Sequence, residues 1–257
     1  MIRTRLACAG LTVLASLTFV SACTDRPGGT ASPGQAATEI LARAAAKTQG
    51  QSFKFTLSYG ALLTGDGAQS GDGKSSVVNM NVSDASSGVN IKINALVLDK
   101  DMYTKMEFGA LGVGIPGLAG IGDKWMHINK TKVRSGSALG LDPNAIAPEH
   151  YVAGIVSAEK ISDSEIKGTI DLAKSAPPGI SAADVAKIPV NARIVPFTAT
   201  LDRDGRITRI VMTLPKIGQF PASDLTVTFA DYGTPVDVKK PAKAQTVEAP
   251  DLIYQFL

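Results

Sequence analysis

Two histidines, His127 and His150, are the only imidazoles in the chain. A zinc site takes three or four His, Cys or carboxylate ligands, and two histidines with no free thiol in the mature chain make one a poor expectation. His127 follows Trp125 in an alternating segment and reads as a packed or rim side chain, with Trp125 favoured as a core anchor. Ser157-Ala158-Glu159-Lys160 has the S-x-x-K spacing of serine acylating enzymes, but the companion S-D-N and K-T-G motifs are missing. No G-x-S-x-G elbow is present, so the residues offer no assembled nucleophile. Gly112 to Gly117 fits G-x-G-x-x-G. A dinucleotide site needs a helix directly after it, and Pro116 with further glycines provides none. Asp202-Arg203-Asp204-Gly205 resembles the start of a calcium loop, but position 12 is Thr213 where a Glu is required. A hairpin turn accounts for it better. No catalytic residue, metal ligand or cofactor site is therefore assigned.

The residue with the sharpest chemistry is Cys23. Met1 to Arg5 is a short basic segment, and Leu6 to Val20 is an uncharged apolar run. This is the layout of a secretory signal, too short for a membrane span. The run ends in Val20-Ser21-Ala22-Cys23, which resembles the bacterial lipobox. The resemblance implies cleavage before Cys23, with a diacylglyceryl group on its thiol. An ordinary signal with a coincidental cysteine is the competing reading. Two acyl chains give stable anchoring at ~0.8 kcal/mol per buried CH₂. The other cysteine, Cys8, leaves with residues 1–22, so the mature domain has neither disulfide nor free thiol. Residues 23–34 are expected to be the lipidated cysteine and a polar, Gly- and Pro-rich tether. Residues 35–257 are the domain.

Charge excludes further classes. The chain has 26 Lys and Arg against 23 Asp and Glu. Loss of Arg3 and Arg5 brings the net charge from +3 to +1. Near neutrality and with 5% aromatics, the chain lacks the basic surface and stacking rings of a nucleic-acid binder. Hydrophobic residues at 44% exclude a wholly disordered chain.

The elements follow from periodicity. Gln35 to Thr48 is rich in Ala, Leu and Glu and predicts a helix, stopped at Gly50. Phe53, Phe55, Leu57 and Tyr59 alternate with polar residues, as a half-buried strand does. Thr64 to Gly73 reads as a turn-rich connector. Strands are expected around Val78–Val82, Val89–Val97, Met102–Met106 and Asp123–Asn129. Phe108 to Gly122 is uncharged with six glycines, and reads either as a lid over a cavity or as a packed apolar loop. Asp142-Pro143 is expected to open a helix that Pro148 interrupts and that ends near Ser157. One long strand from Lys160 to Leu172 follows, then a helix capped by Ser181. A hairpin, Ala192–Leu201 with Ile207–Leu214, leads to a last strand at Leu225–Phe229. Thr234 to Pro250 is expected on the surface. About ten strands thus present an apolar face to two or three short, Ala-rich helices. Either two sheets cover each other as a sandwich, or one sheet curls around the helices and leaves a cavity. The shortage of helix volume favours the second.

The lipobox, tether, helix and meander, with the strand Gly122-Asp-Lys-Trp-Met-His-Ile128, the hairpin Phe197 to Ile210 and the ending Phe229 to Pro241, resemble the actinobacterial LppX/LprG/LprA/LprF lipoproteins. The resemblance implies a LolA-like α+β fold: a curved antiparallel half-barrel around a few short helices, holding an apolar cavity. It also implies a lipoprotein on the extracytoplasmic face of the cell membrane that binds acyl chains of lipids or glycolipids and carries or presents them. From alternation, the expected lining is Phe53, Phe55, Leu57, Met80, Ile91, Ile93, Met106, Ile170, Met212, Leu214 and Phe229. A LolA-like fold is also similar to RseB/MucB-type periplasmic regulators, which leaves an envelope sensor contacting an unknown protein partner as the alternative.

Overall fold

Among the described residues, twelve strands order themselves into a single sheet. The computed structural model describes residues 33–84, 88–107, 123–133, 145–178, 180–218, 220–251 and 254. Cys8, Cys23, the lipobox, the tether up to residue 32, the segment 108–122 and Asp142-Pro143 lie outside them.

The helices are α1 (Pro33–Thr48), α2 (Pro148–Ala153) and α3 (Ala182–Lys187). The strands are β1 (Phe53–Tyr59), β2 (Leu63–Gln69), β3 (Ser75–Asp84), β4 (Val89–Leu98), β5 (Asp101–Glu107), β6 (Trp125–Asn129), β7 (Ile155–Lys160), β8 (Glu165–Asp171), β9 (Ile194–Leu201), β10 (Ile207–Leu214), β11 (Ser223–Ala230) and β12 (Thr246–Glu248). Their order is β12-β6-β5-β4-β3-β2-β1-β11-β10-β9-β8-β7. Two antiparallel meanders, β1 to β6 and β7 to β11, join through the β1–β11 pair. Among the described strands, only β12 runs parallel to its neighbour, β6. The fold class is α+β, a large open antiparallel sheet with few short helices.

One face of the sheet carries the core. Helix α1 buries Ala37, Leu41, Ala44 and Ala45, the stripe that a 3.6-residue period brings to one side. It packs on β7, β10 and α2. Full burial of one side chain such as Leu41 contributes about 1.5–3 kcal/mol. Phe53, Phe55 and Phe229 meet beneath, with the Phe53 and Phe229 rings edge to face at 5.7 Å. Among the described residues, the helices that pack on the sheet lie over its β7–β10 half.

Four expectations are corrected. The connector at Thr64–Gly73 is mostly strand β2, because Gly65 and Gly67 serve close approach of neighbouring strands rather than turning. A Cβ at Gly67 would lie 2.2 Å from the Val77 carbonyl oxygen and 2.5 Å from Phe55 Cζ. Pro148 starts a helix instead of interrupting one, since its missing N–H costs nothing at the first position. That helix ends at Gly154, and Ile155–Ser157 belong to β7. The single strand Lys160–Leu172 is a hairpin between β7 and β8: Ser162 and Asp163 lie in its turn, and Ile161 and Ser162 both donate to the Glu165 carbonyl. Elsewhere the local chemistry holds. Ser181 Oγ accepts from the Asp184 N–H at 3.0 Å and caps α3. In the β9–β10 hairpin, Asp202 Oδ1 accepts from the N–H groups of Asp204 and Arg206, so its oxygen serves the turn.

Candidate functional site

Cross-strand register places the eleven expected lining residues on the helix side of the sheet. Leu57, Gly65, Met80, Ile93 and Met106 form one row across β1 to β5. Leu63, Val82 and Ile91 form the next. Within these rows Met80, Val82, Ile91 and Met106 are only half-buried, and Ile93 is buried beside them. Five apolar side chains thus make a continuous strip on β3 to β5, away from α1. Isolated exposed apolar residues are ordinary, whereas contiguous ones mark binding surfaces.

The other candidates are core. Phe53, Phe55, Leu57, Ile170, Met212, Leu214 and Phe229 are buried in one cluster with α1 and α2. Ile170 borders an apolar space shared with Leu41, Tyr151, Phe197 and Ile210, of only about 10 Å³. That is room for about one water and not for an acyl chain. The structure therefore divides the expected lining into a half-open strip of Met80, Ile91, Ile93 and Met106 and a packed remainder.

Three polar atoms share the face with the strip. Gln69 Oε1, Ser76 Oγ and Thr104 Oγ1 are buried without a hydrogen-bond partner. Gln69 and Ser76 are paired across β2 and β3, one row beyond Val78, and Thr104 is opposite Ala95. An unsatisfied buried polar group costs about 1–3 kcal/mol. No alternation of apolar residues signals these atoms, and the sequence reading missed them. The opposite face of the same strands is polar, with Asn79 Nδ2 donating to Asp66 at 3.0 Å.

The remaining chemical candidates fall apart or pair elsewhere. Ser157 Oγ bonds Thr169 Oγ1 at 2.7 Å, while Lys160 Nζ donates to Asp163 at 2.7 Å. The two are separately engaged, and the S-x-x-K spacing assembles nothing. Ser157 and Thr169 instead line a shallow surface depression of about 480 Å³ with Lys167, Pro196 and Thr198. His150 Nε2 lies 2.9 Å from the Ala176 carbonyl. Trp125 is half-buried rather than a core anchor.

His127 is the exception. Its Nε2 lies 2.6 Å from Asp101 Oδ1, and its Nδ1 lies 2.9 Å from both oxygens of Glu248. The ring stacks on Tyr103 at 5.0 Å. Partial burial opposes the charge, but hydrogen bonds to Asp101 and Glu248 outweigh it and hold His127 above its ordinary value. Among the described residues, no group of three or more His, Cys, Asp or Glu is placed to hold a metal ion. Nor is any described helix long and apolar enough to cross a membrane.

No protein-family model matches the chain, and no curated protein matches it. Among solved structures it is similar to MucB, seen in a crystal structure of MucB in complex with MucA(peri), at 16% identity and a TM-score of 0.23. The match covers 81% of this chain and 58% of that one, so the chain spans less than two thirds of the MucB chain.

Proposed function

We propose that the chain is a lipoprotein of the LppX/LprG type, anchored by an acylated Cys23 to the extracytoplasmic face of a cell membrane. In this reading the sheet curls as a half-barrel, and acyl chains of a lipid or glycolipid lie along its inner face. The protein carries or presents that lipid within the envelope and performs no covalent chemistry on it. The observation that carries the reading is the strip of half-buried Met80, Val82, Ile91 and Met106 around the buried Ile93. These side chains are uncharged, contiguous and incompletely covered, and each methylene they bury contributes ~0.8 kcal/mol.

The test is native mass spectrometry of residues 24–257, which contain every described element. The protein is made in a bacterial periplasm without Cys23, then incubated with dioleoylphosphatidylglycerol vesicles. A non-covalent adduct that disappears on denaturation, and that weakens at least tenfold in both Met80→Glu and Ile91→Glu, supports the reading. A clean unliganded mass before and after incubation overturns it and moves the weight to a partner-binding lipoprotein.

A further inference from the structure

Strand β12, with Ala249 and Tyr254 after it, straps the β6 edge of the sheet. Thr246, Val247 and Glu248 pair in parallel with Trp125, Met126 and His127. The Ala249 N–H donates to the His127 carbonyl at 3.0 Å, and the Asn129 N–H donates to Tyr254 Oη at 3.0 Å. On the core side, Val247, Ala249 and Tyr254 cover Val97, Met102, Met126 and Ile128. On the other side, a single cluster of charges fastens the strap. Glu248 and Asp101 take the two nitrogens of His127, and Lys240 Nζ sits 5.5 Å over the Tyr103 ring on which His127 stacks.

The chemistry of that cluster selects one protonation state. A carboxylate only accepts hydrogen bonds, and a neutral imidazole carries one N–H. With carboxylates at both nitrogens, both bonds form only when His127 is an imidazolium. Loss of the proton leaves one nitrogen lone pair facing a carboxylate. Asp101 sits on β5, held by ladders on both sides, at the shorter distance of 2.6 Å. Glu248 sits on a three-residue edge strand with its side chain 79% exposed. The remaining proton therefore stays toward Asp101, and Glu248 is the partner released. Two further charged groups lie on this face of the sheet. Lys240 lies over Tyr103, and on β5 Lys105 is paired to Asp123 at 3.7 Å.

We propose that His127 is an acid-closed latch: protonated, it fastens the C-terminal strap to β6, and neutral, it loosens the strap so that the β6 edge with Met126 and Ile128 opens more often. The sign follows from the geometry. The stabilisation is complete below the ordinary histidine value of 6.5 and is lost as pH rises through the higher value of the folded protein.

Hydrogen–deuterium exchange of the full chain in detergent micelles tests this, at pH 5 and pH 8, with labelling times scaled for intrinsic exchange. Residues 245–251 are expected to be about two- to fivefold better protected at pH 5, the range set by an exposed charge pair. Peptides from β3 and β4 are expected to lack this difference. Glu248→Gln, an exposed change that leaves the core untouched, is expected to abolish the strap's pH dependence, as is His127→Gln. Equal protection at both pH values in the wild type overturns the proposal. So does a pH dependence that persists in Glu248→Gln.

Discussion

Gly67→Ala is the most informative single substitution in the sheet. The added methyl would meet the Val77 carbonyl oxygen at 2.2 Å, Phe55 Cζ at 2.5 Å and Phe55 Cε1 at 2.8 Å. Ordinary contact begins near 3.4 Å, so the backbone of β3 and a buried ring must each give way by about an ångström. The ring is not free to do so, because Phe55 is 3% exposed and its cross-strand partner is Phe229. Overpacking of this kind costs about 1–3 kcal/mol. For a domain of this size, 1 kcal/mol lowers Tm by roughly 2–4 °C, so a midpoint about 4–8 °C below wild type is expected for a cost near 2 kcal/mol. Thermal unfolding followed by circular dichroism reads it. Phe55→Leu in the same chain removes the ring contact but not the carbonyl, so the double variant is expected to lose less than the sum of the two single losses. A Gly67→Ala protein within 1 °C of wild type would refute the claim that β2 needs a bare Cα for its neighbours to approach.

Other outcomes follow from single groups. Tyr151 Oη is buried with no hydrogen-bond partner, so Tyr151→Phe is expected to leave stability unchanged or raise it by up to about 1 kcal/mol; a loss above 1 kcal/mol in urea unfolding would contradict it. Ser181→Ala removes the acceptor at the start of α3 and is expected to cost about 1 kcal/mol, read as a lower urea midpoint with an unchanged slope. Gly88→Ala meets no atom within 4 Å but sits at φ +69, so it is expected to cost about 1 kcal/mol through backbone strain alone, less than Gly67→Ala.

Alternation made the strands legible where one face is core and the other wet. Strands β1, β3, β4, β5, β9, β10 and β11 lie within a few residues of their expected positions for that reason. Strand β2 was hidden because its inward residues include Gly65 and Gly67, which carry no hydrophobic signal. They are small because Met80 and Phe55 fill the space above them. The alternation from Glu165 to Leu172 marks β8, but it does not reach Lys160, which ends β7 on the other side of the turn at Ser162 and Asp163. Gly154 likewise marks the end of α2, three residues before the expected end near Ser157. At the candidate site, alternation placed the eleven residues on one face but did not give their depth. It cannot distinguish Ile170, pressed against the α1–α2 side, from Ile91 on a half-buried strip, because both are apolar residues on inward positions. Depth depends on where helices land, and α1 reaches β7 and β10 through contacts far apart in sequence.

The His127 cluster was invisible for a related reason. Asp101 and Glu248 are 26 and 121 residues from it, and β12 joins the sheet out of sequence order, beyond a long irregular segment. The sheet thus ends differently at its two edges. At β7 a helix lies across the last strand, held by apolar burial that does not respond to pH. At β6 a three-residue strand is held by Val247 and Ala249 on one side and by a titratable pair on the other. Apolar contacts at that edge involve few side chains, so a charge interaction worth less than 1 kcal/mol is a large share of what fastens it. An interaction of the same size within β3 or β4, with a ladder on each side, would alter nothing measurable. The edge of the sheet nearest the half-open strip is therefore where a small electrostatic change moves the backbone.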